Sequence, residues 1–168
     1  MKLNAGSGEG TKGYNSDFVN IDLLKPYKGV QGDILNLPFK DDSFEEVRLI
    51  HVLEHVLRHQ QMPMLRELHR ITAPGGVFYC EVPDFLENMV ELVRVYHARP
   101  VNWEHVRIKT VGVYGKQRST GDCHHWGYNE YFLTRQLSAF QWRRIERSHE
   151  MISNHHRVEN VILMKCVK

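Results

Sequence analysis

Residues 3–10 read Leu-Asn-Ala-Gly-Ser-Gly-Glu-Gly, a short strand that breaks into three alternating glycines. Glycines directly after a strand constrain a chain strongly. They set a ligand-accommodating turn at the carboxyl edge of a sheet, where open α/β sheets bind small molecules. Glycine there permits positive φ and lets a ligand approach the backbone. The spacing is Gly-x-Gly-x-Gly, and Thr11 stands at the third position of the dinucleotide fingerprint Gly-x-Gly-x-x-Gly. No Lys-Ser/Thr pair follows the glycines, which excludes a phosphate-cradling P-loop.

Beyond the turn, short apolar runs alternate with helical patterns, the signature of an α/β fold. Strands are predicted at residues 2–4, 18–22, 29–33, 46–52, 77–82, 142–147 and 158–167. Met64, Leu65, Leu68 and Ile71 recur at helical spacing over residues 60–71, and Pro74-Gly75-Gly76 is expected to stop that helix. Asp84 with Glu87 forms a capping-box pattern, ahead of a helix whose packed face would be Phe85, Met89, Val90, Val93 and Tyr96. Asn129 is placed to cap a last helix that runs to about residue 139. Only residues 23–28, with Pro26 among them, separate the second and third strands. A parallel crossover normally takes about a dozen residues, so that helix is expected to shrink to a turn. Residues 98–128 have no readable periodicity and are expected to form a long loop insertion on the substrate side of a single domain, residues 1–168.

The second and third predicted strands both end in acids, Asp22 and Asp33. An acid about 20 residues beyond the glycines is placed to accept hydrogen bonds from ribose hydroxyls. Asp33 could accept from an adenine amino group, with Ile34, Leu35 and Leu37 supplying apolar surface to the base. A ligand with adenosine and no required pyrophosphate fits this set.

Taken in order, Leu-Asn-Ala-Gly-Ser-Gly (3–8), Asn-Ile-Asp (20–22), Gly-Asp-Ile-Leu-Asn-Leu-Pro-Phe (32–39), Asp-Ser-Phe-Glu-Glu-Val (42–47), His-Val-Leu-Glu-His (51–55), Leu-His-Arg-Ile (68–71) and Pro-Gly-Gly (74–76) resemble the class I methyltransferases that use S-adenosylmethionine (SAM), in the small branch called methyltransferase type 11. The resemblance implies a Rossmann-like α/β fold, with a mostly parallel sheet of about seven strands whose last strand is antiparallel. It implies that Asn4, Ala5, Gly6, Ser7 and Gly8 wrap the methionine moiety of SAM. Asp22, with Leu23 beside it, would hold the ribose, and Asp33, Ile34 and Leu35 the adenine. His51 and Val52 would border the pocket.

Two departures are visible. The family usually carries an acid where this chain has Asn4. It also usually carries a helix before the first strand, whereas here Met1-Lys2 leads straight into it, an N-terminally minimal form with no signal-peptide pattern. The cofactor pocket is therefore expected to be open, unless residues 98–128 or a second subunit in a homodimer cover it.

Several other chemistries are suggested by short motifs and then disfavoured by context. His51-Val-Leu-Glu-His55 satisfies the inverted zinc-protease motif His-x-x-Glu-His, but that mechanism needs a helix and these residues follow an apolar strand. Asp122, Cys123, His124 and His125 are metal-ligand types, yet no matching pair lies at ligand spacing, so no metal centre is expected. Arg143, Arg144, Arg147 and His149 read as the solvated face of an edge strand, and a net charge of +2 exerts no strong pull on nucleic acid. Cys80, Cys123 and Cys166 are scattered and form no Cys-x-x-Cys pair, which fits a reducing cytoplasm. No apolar run approaches the roughly 18 residues of a membrane span.

Methyl transfer from a sulfonium is an in-line displacement, so a protein contributes mainly alignment. A base is needed only for a hydroxyl or a protonated amine, and the candidates are His124 and His125, then His55, Glu81 and Asp84. Tyr114 and Trp126 could enclose an acceptor. The expected function is methyl transfer to a small-molecule or glycan-type acceptor. The alternatives are a protein that binds SAM or S-adenosylhomocysteine without turnover, and an interaction module that reuses the fold.

Overall fold

The computed structural model describes residues 1–8, 16–24, 26, 28–118, 120–150, 152 and 160–168. Leu3 and Ala5 alternate with Lys2 and Asn4 in strand β1 (Lys2–Ala5), and the two apolar side chains are fully buried. β1 pairs in parallel with β2 (Val19–Asp22) on one side and β4 (Phe44–Ile50) on the other. β3 (Val30–Gln31) extends the sheet beyond β2, and β5 (Thr72–Pro83) beyond β4, again in parallel. β7 (Val161–Val167) then runs antiparallel to both β5 and β6 (Arg144–Ser148). The order is β3-β2-β1-β4-β5-β7-β6, the mostly parallel seven-stranded sheet that the sequence predicts. Glu9, Gly10 and Thr11 of the glycine segment, and Val158 of the last predicted strand, lie outside the described residues.

One core joins the sheet to two helices. Met64, Leu65, Leu68 and Ile71 of α1 (Arg58–Ile71) and Leu133 and Leu137 of α4 (Glu130–Leu137) bury against Val47, Leu49, Phe78 and Ile162. Pro63 is accommodated within α1. The helix ends at Ile71, three residues before Pro74, and the chain passes directly into β5. Pro74-Gly75-Gly76 is therefore a kink within a strand, not the helix stop, with Gly75 at φ +77°. Between β2 and β3 the described residues hold no helix, in line with the expected short turn.

Two expectations need correction. Residues 98–128 are not one long loop, because α3 (Trp103–Tyr114) occupies their middle. Its buried residues are Lys109, Gly112 and Val113, a mixed set that leaves no apolar stripe for periodicity to detect. The helix α2 (Phe85–His97) is capped by Asp84 as predicted, but its apolar positions do not face the core. Leu86, Val90, Val93 and Tyr96 are each at least half exposed. The reason is that α2 buries Asn88 and Val95, and Asn88 packs so close to α3 that a Cβ added at Gly112 would lie 3.2 Å from its side chain.

The cap of α4 is as read from the sequence: the Asn129 side chain accepts from the Phe132 N–H at 2.8 Å. Asn129→Ala is expected to lower stability by about 1 kcal/mol, the usual worth of such a cap, while Asn129→Ser should lose much less. Urea denaturation of the two variants measures the difference.

Candidate functional site

The glycine turn leaves β1 under tight steric control. Gly6 sits at φ +73°, and a Cβ built there would lie 2.3 Å from a methyl of Val52. Only glycine fits. Gly8, at φ +74°, faces open space on its Cβ side. The Gly6 and Ser7 N–H groups both donate to the Ile21 carbonyl, at 2.8 and 3.2 Å, which hangs the turn on the end of β2. The Ser7 hydroxyl is buried and has no partner among the described residues.

Asp22 completes this edge. Its carboxylate accepts from the Gly8 N–H at 2.8 Å and from the Leu24 N–H at 3.0 Å, one bond to each oxygen. A carboxylate oxygen has two lone pairs, so each retains one for a hydroxyl of a ligand. Leu23, beside it, is well exposed. Asp33 lies two residues beyond β3 and accepts from the Leu35 N–H at 2.8 Å, an Asx-type turn that presents Ile34 and Leu35 as half-buried apolar surface. Asn4 is turned sideways, its amide donating to Asn20 at 2.9 Å. The sequence-predicted cofactor residues are thus brought to one edge of the sheet.

Next to that edge, β4 ends in a cluster that sequence reasoning divided among unrelated motifs. His51 adopts φ +53°, uncommon for a residue with a side chain, and turns the strand into a single 3-10 turn, Leu53–His55. Its ring lies between two buried carboxylates, with Nδ1 3.3 Å from Glu54 and Nε2 3.2 Å from Glu81. Glu54 is 1 % exposed and Glu81 fully buried. Burial opposes charge on His51, but hydrogen bonds to Glu54 and then Glu81 override it and push the imidazole up to about 10. Burial likewise opposes charge on Glu54, and the His51 hydrogen bond outweighs it and holds that carboxyl below its ordinary value. The cluster therefore carries an imidazolium between carboxylates at neutral pH. Glu81 is engaged here, and Asp84 is engaged as the cap of α2, so neither stands free as a base.

The segment after α3 folds back onto this cluster. The Cys123 carbonyl lies 3.0 Å from His55 Nδ1, and the His125 N–H donates to the Glu54 carbonyl at 2.7 Å. His124 is set edge-on to His55, ring centres 4.8 Å apart, and the Gly112 carbonyl bonds its ring. Burial holds the His124 imidazole below its usual value, hence neutral. The His125 ring is exposed. A shallow surface recess with no enclosed room for a water molecule lies here, lined by Glu54, Pro83, Phe85, Gly112, His124 and Trp126 among others. Trp126 is further held by Arg58, whose guanidinium stacks over its ring at 4.7 Å, while Tyr114 is largely exposed. Sequence reasoning missed Glu54 as a site residue in its own right and the pairing of His55 with His124. Its one local signal was the His-x-x-Glu-His spacing.

Comparisons with known proteins set this chain beside methyltransferases. The family described as a methyltransferase domain matches residues 4–80. The demethylmenaquinone methyltransferase of Geobacillus stearothermophilus is 40 % identical over 57 residues, 34 % of this chain and 24 % of that protein. The match thus spans about a quarter of that relative's length. Among solved structures, a SAM-dependent methyltransferase of Thermotoga maritima, described as a possible histamine N-methyltransferase, superposes with a TM-score of 0.62 at 14 % identity, covering 99 % of this chain and 81 % of that one. The 1,6-didemethyltoxoflavin-N1-methyltransferase of Burkholderia thailandensis, solved with its substrate and S-adenosylhomocysteine, gives 0.60 at 14 % identity over 99 % and 70 % of the two chains. At those identities the structural likeness speaks for the fold.

The buried ion cluster generates a stability prediction. His51→Ala leaves Glu54 and Glu81 facing each other without their shared cation, and should cost about 3–5 kcal/mol at neutral pH. Adding Glu81→Gln to that variant should recover part of the loss. Urea denaturation measures both, and equal stability of the single and double variants would place the cost in packing instead.

Proposed function

We propose that this chain, with residues 4–80 matched by a methyltransferase domain and the strand order of the class I fold, is a class I methyltransferase that transfers a methyl group from SAM to a small-molecule or glycan-type acceptor. The observation that carries the proposal is the Asp22 carboxylate closing on the Gly8 N–H, which makes the glycine turn and the downstream acid a single site.

The residues present fit SAM. Asn4, Ala5, Gly6, Ser7 and Gly8 would hold its methionine part, with the buried Ser7 hydroxyl supplying a polar group that has no protein partner among the described residues. Asp22 and Leu23 would take the ribose, and Asp33, Ile34 and Leu35 the adenine. His51 and Val52 would form the border toward the acceptor. When bound, SAM supplies a methyl group on a positively charged sulfur, a carbon already activated for displacement.

This chain then has to seat and orient an acceptor beside that edge. Phe85 and Trp126 offer apolar walls to the recess, and Glu54 and His124 a polar one. An acceptor that must lose a proton would meet His124, neutral and half-buried, with His55 against it. His125, its ring exposed, stands at the rim. Residues 98–128, now with α3 among them, are the proposed cover of the acceptor side, and a second copy of the chain in a homodimer is the alternative cover. A single domain over residues 1–168, working in a reducing cytoplasm with no nucleic-acid or membrane partner, completes the proposal. No helix among the described residues is long and apolar enough to cross a membrane.

A second reading, a SAM- or S-adenosylhomocysteine-binding protein without turnover, is favoured by Asn4. An uncharged side chain bonded to Asn20 stands where the family usually has an acid for the cofactor's ammonium. Turnover of labelled SAM over a pool of metabolites and sugars separates the two.

Calorimetric titration of the chain with SAM and S-adenosylhomocysteine tests the binding both readings require. Asp22→Ala should weaken SAM by roughly 1–3 kcal/mol, the cost of losing a charged hydrogen-bond acceptor. Unchanged affinity would move the ribose elsewhere, and no binding by the folded wild-type chain would reject the proposal.

A further inference from the structure

Two motifs that the sequence leaves as unconnected halves meet in the fold. His-x-x-Glu-His supplies Glu54 and His55, and the His124-His125 pair supplies His124. One donor atom from each of Glu54, His55 and His124 lies within 4.8 Å of the other two. The Glu54 Oε1 to His55 Nε2 distance is 4.0 Å. Donors bound at about 2.0–2.2 Å around one tetrahedral ion sit roughly 3.4 Å apart, so rotation of the side chains by about an ångström closes the set.

The surroundings of each group are those of a ligand. His55 turns Nδ1 to the Cys123 carbonyl, which fixes Nδ1 as the protonated nitrogen and leaves the Nε2 lone pair toward Glu54. His124 has the Gly112 carbonyl, one of the last carbonyls of α3, near its ring as a weaker acceptor. Backbone carbonyls that orient imidazoles in this way are the usual outer support of metal-binding histidines. Glu54 is 1 % exposed, lines the recess, and its Oε2 has no hydrogen-bond partner among the described residues. Burying a carboxylate oxygen without a partner is costly. A cation would remove that cost.

We propose that Glu54, His55 and His124 form a binding site for one divalent first-row transition cation, zinc in character, with its fourth position open to the recess. Two imidazole nitrogens and one carboxylate oxygen are donors that zinc accepts, and three protein ligands with an open position is the arrangement of a site that acts on a bound oxygen rather than one that only staples a fold. His51 Nδ1 lies 3.3 Å from the same Glu54 oxygen, Oε1, that faces His55, and so holds that carboxylate in place. On the methyltransferase reading, on which this part alone rests, the open position selects an oxygen-bearing acceptor. Coordination would lower the acceptor hydroxyl's pKa, so that its proton leaves to solvent and its oxygen is presented ionised. His124 would then be a ligand and not the proton acceptor.

The test uses the tag-free full chain, stripped with a chelator and titrated with Zn²⁺ by equilibrium dialysis and with Co²⁺ by visible absorption. One equivalent should bind, and Co²⁺ should give the intense bands of a four-coordinate ion. Glu54→Gln and His124→Ala should each weaken Zn²⁺ by roughly a hundredfold, at or above what loss of supporting groups costs. His105→Ala, on the exposed face of α3, should leave it unchanged. Circular dichroism reports whether each variant is folded, and a His124→Ala chain that folds suffices if Glu54→Gln does not. Absence of stoichiometric binding to the folded wild-type chain, or wild-type affinity in the folded variants, overturns the proposal. SAM titrated into the metal-free and metal-loaded chain keeps the two readings apart. SAM binding without metal binding overturns only the cation site, and metal binding without SAM binding overturns only the methyltransferase reading.

Discussion

One imidazole shared between two buried carboxylates is the interaction on which the rest of the site depends. Glu54 and Glu81 are both out of solvent, and the cost of burying two like charges is met by His51 between them. The geometry requires His51 to leave the strand at φ +53°, a conformation that costs about 1–3 kcal/mol in a residue with a Cβ. That strain is held by the pairing and by the His51 N–H, which donates to the Glu81 carbonyl at 3.0 Å. The turn that follows is then fixed in direction, and it sends consecutive residues to different sides.

β4 in this way becomes the divider between two half-sites. Val52 packs onto Gly6 and so belongs to the glycine edge, where Asp22 closes on the Gly8 N–H and the Ser7 hydroxyl lies buried. His55, three residues on, packs edge-on against His124, which lines the recess. Parallel strands end at a common edge, so both half-sites lie along one end of the sheet. The antiparallel β7 serves the other purpose of closing the sheet, and Asn160 just before it accepts from both the Asp84 N–H and the Asn88 side chain, which pins the start of α2.

What the sequence disclosed follows from the range of the forces involved. The glycine turn, Asp22, and the caps at Asp84 and Asn129 were legible because each is a local backbone requirement answered by a residue nearby in the chain. α3 was not, since it buries Lys109, Gly112 and Val113 and carries no apolar stripe. Asn102 ahead of it and Gly115 after it were its only marks, a cap accepting from His105 at 3.0 Å and a stop at φ +79°. The outward turn of Val90 and Val93 on α2 was invisible for a different reason. Periodicity locates an apolar face but does not say which neighbour it meets, and here the neighbour is α3 through Asn88 and Gly112. The ion cluster and the His55–His124 contact were hidden by distance, because Glu81 and His124 lie 27 and 70 residues beyond Glu54 in the chain. His-x-x-Glu-His was tested against a helix, whereas the chain uses it to leave a strand.

The position of His124 follows from how a helix ends. Gly115 stops α3, and its N–H takes the Val111 carbonyl, which leaves the carbonyls of Gly112 and Tyr114 for groups outside the helix. The returning segment supplies them: the His124 N–H donates to Tyr114 at 3.2 Å, and the His124 ring bonds Gly112. A Cβ on Gly115 would collide with the Asp122 carbonyl, so glycine is what lets the segment come back this closely. The His125 N–H then ties the same segment to the Glu54 carbonyl. Backbone groups therefore fix both His55 and His124, through bonds that do not depend on the other side chains around them. On the proposed function, Phe85, Val113 and Trp126 could change to suit a different acceptor while Glu54, His55 and His124 keep their places.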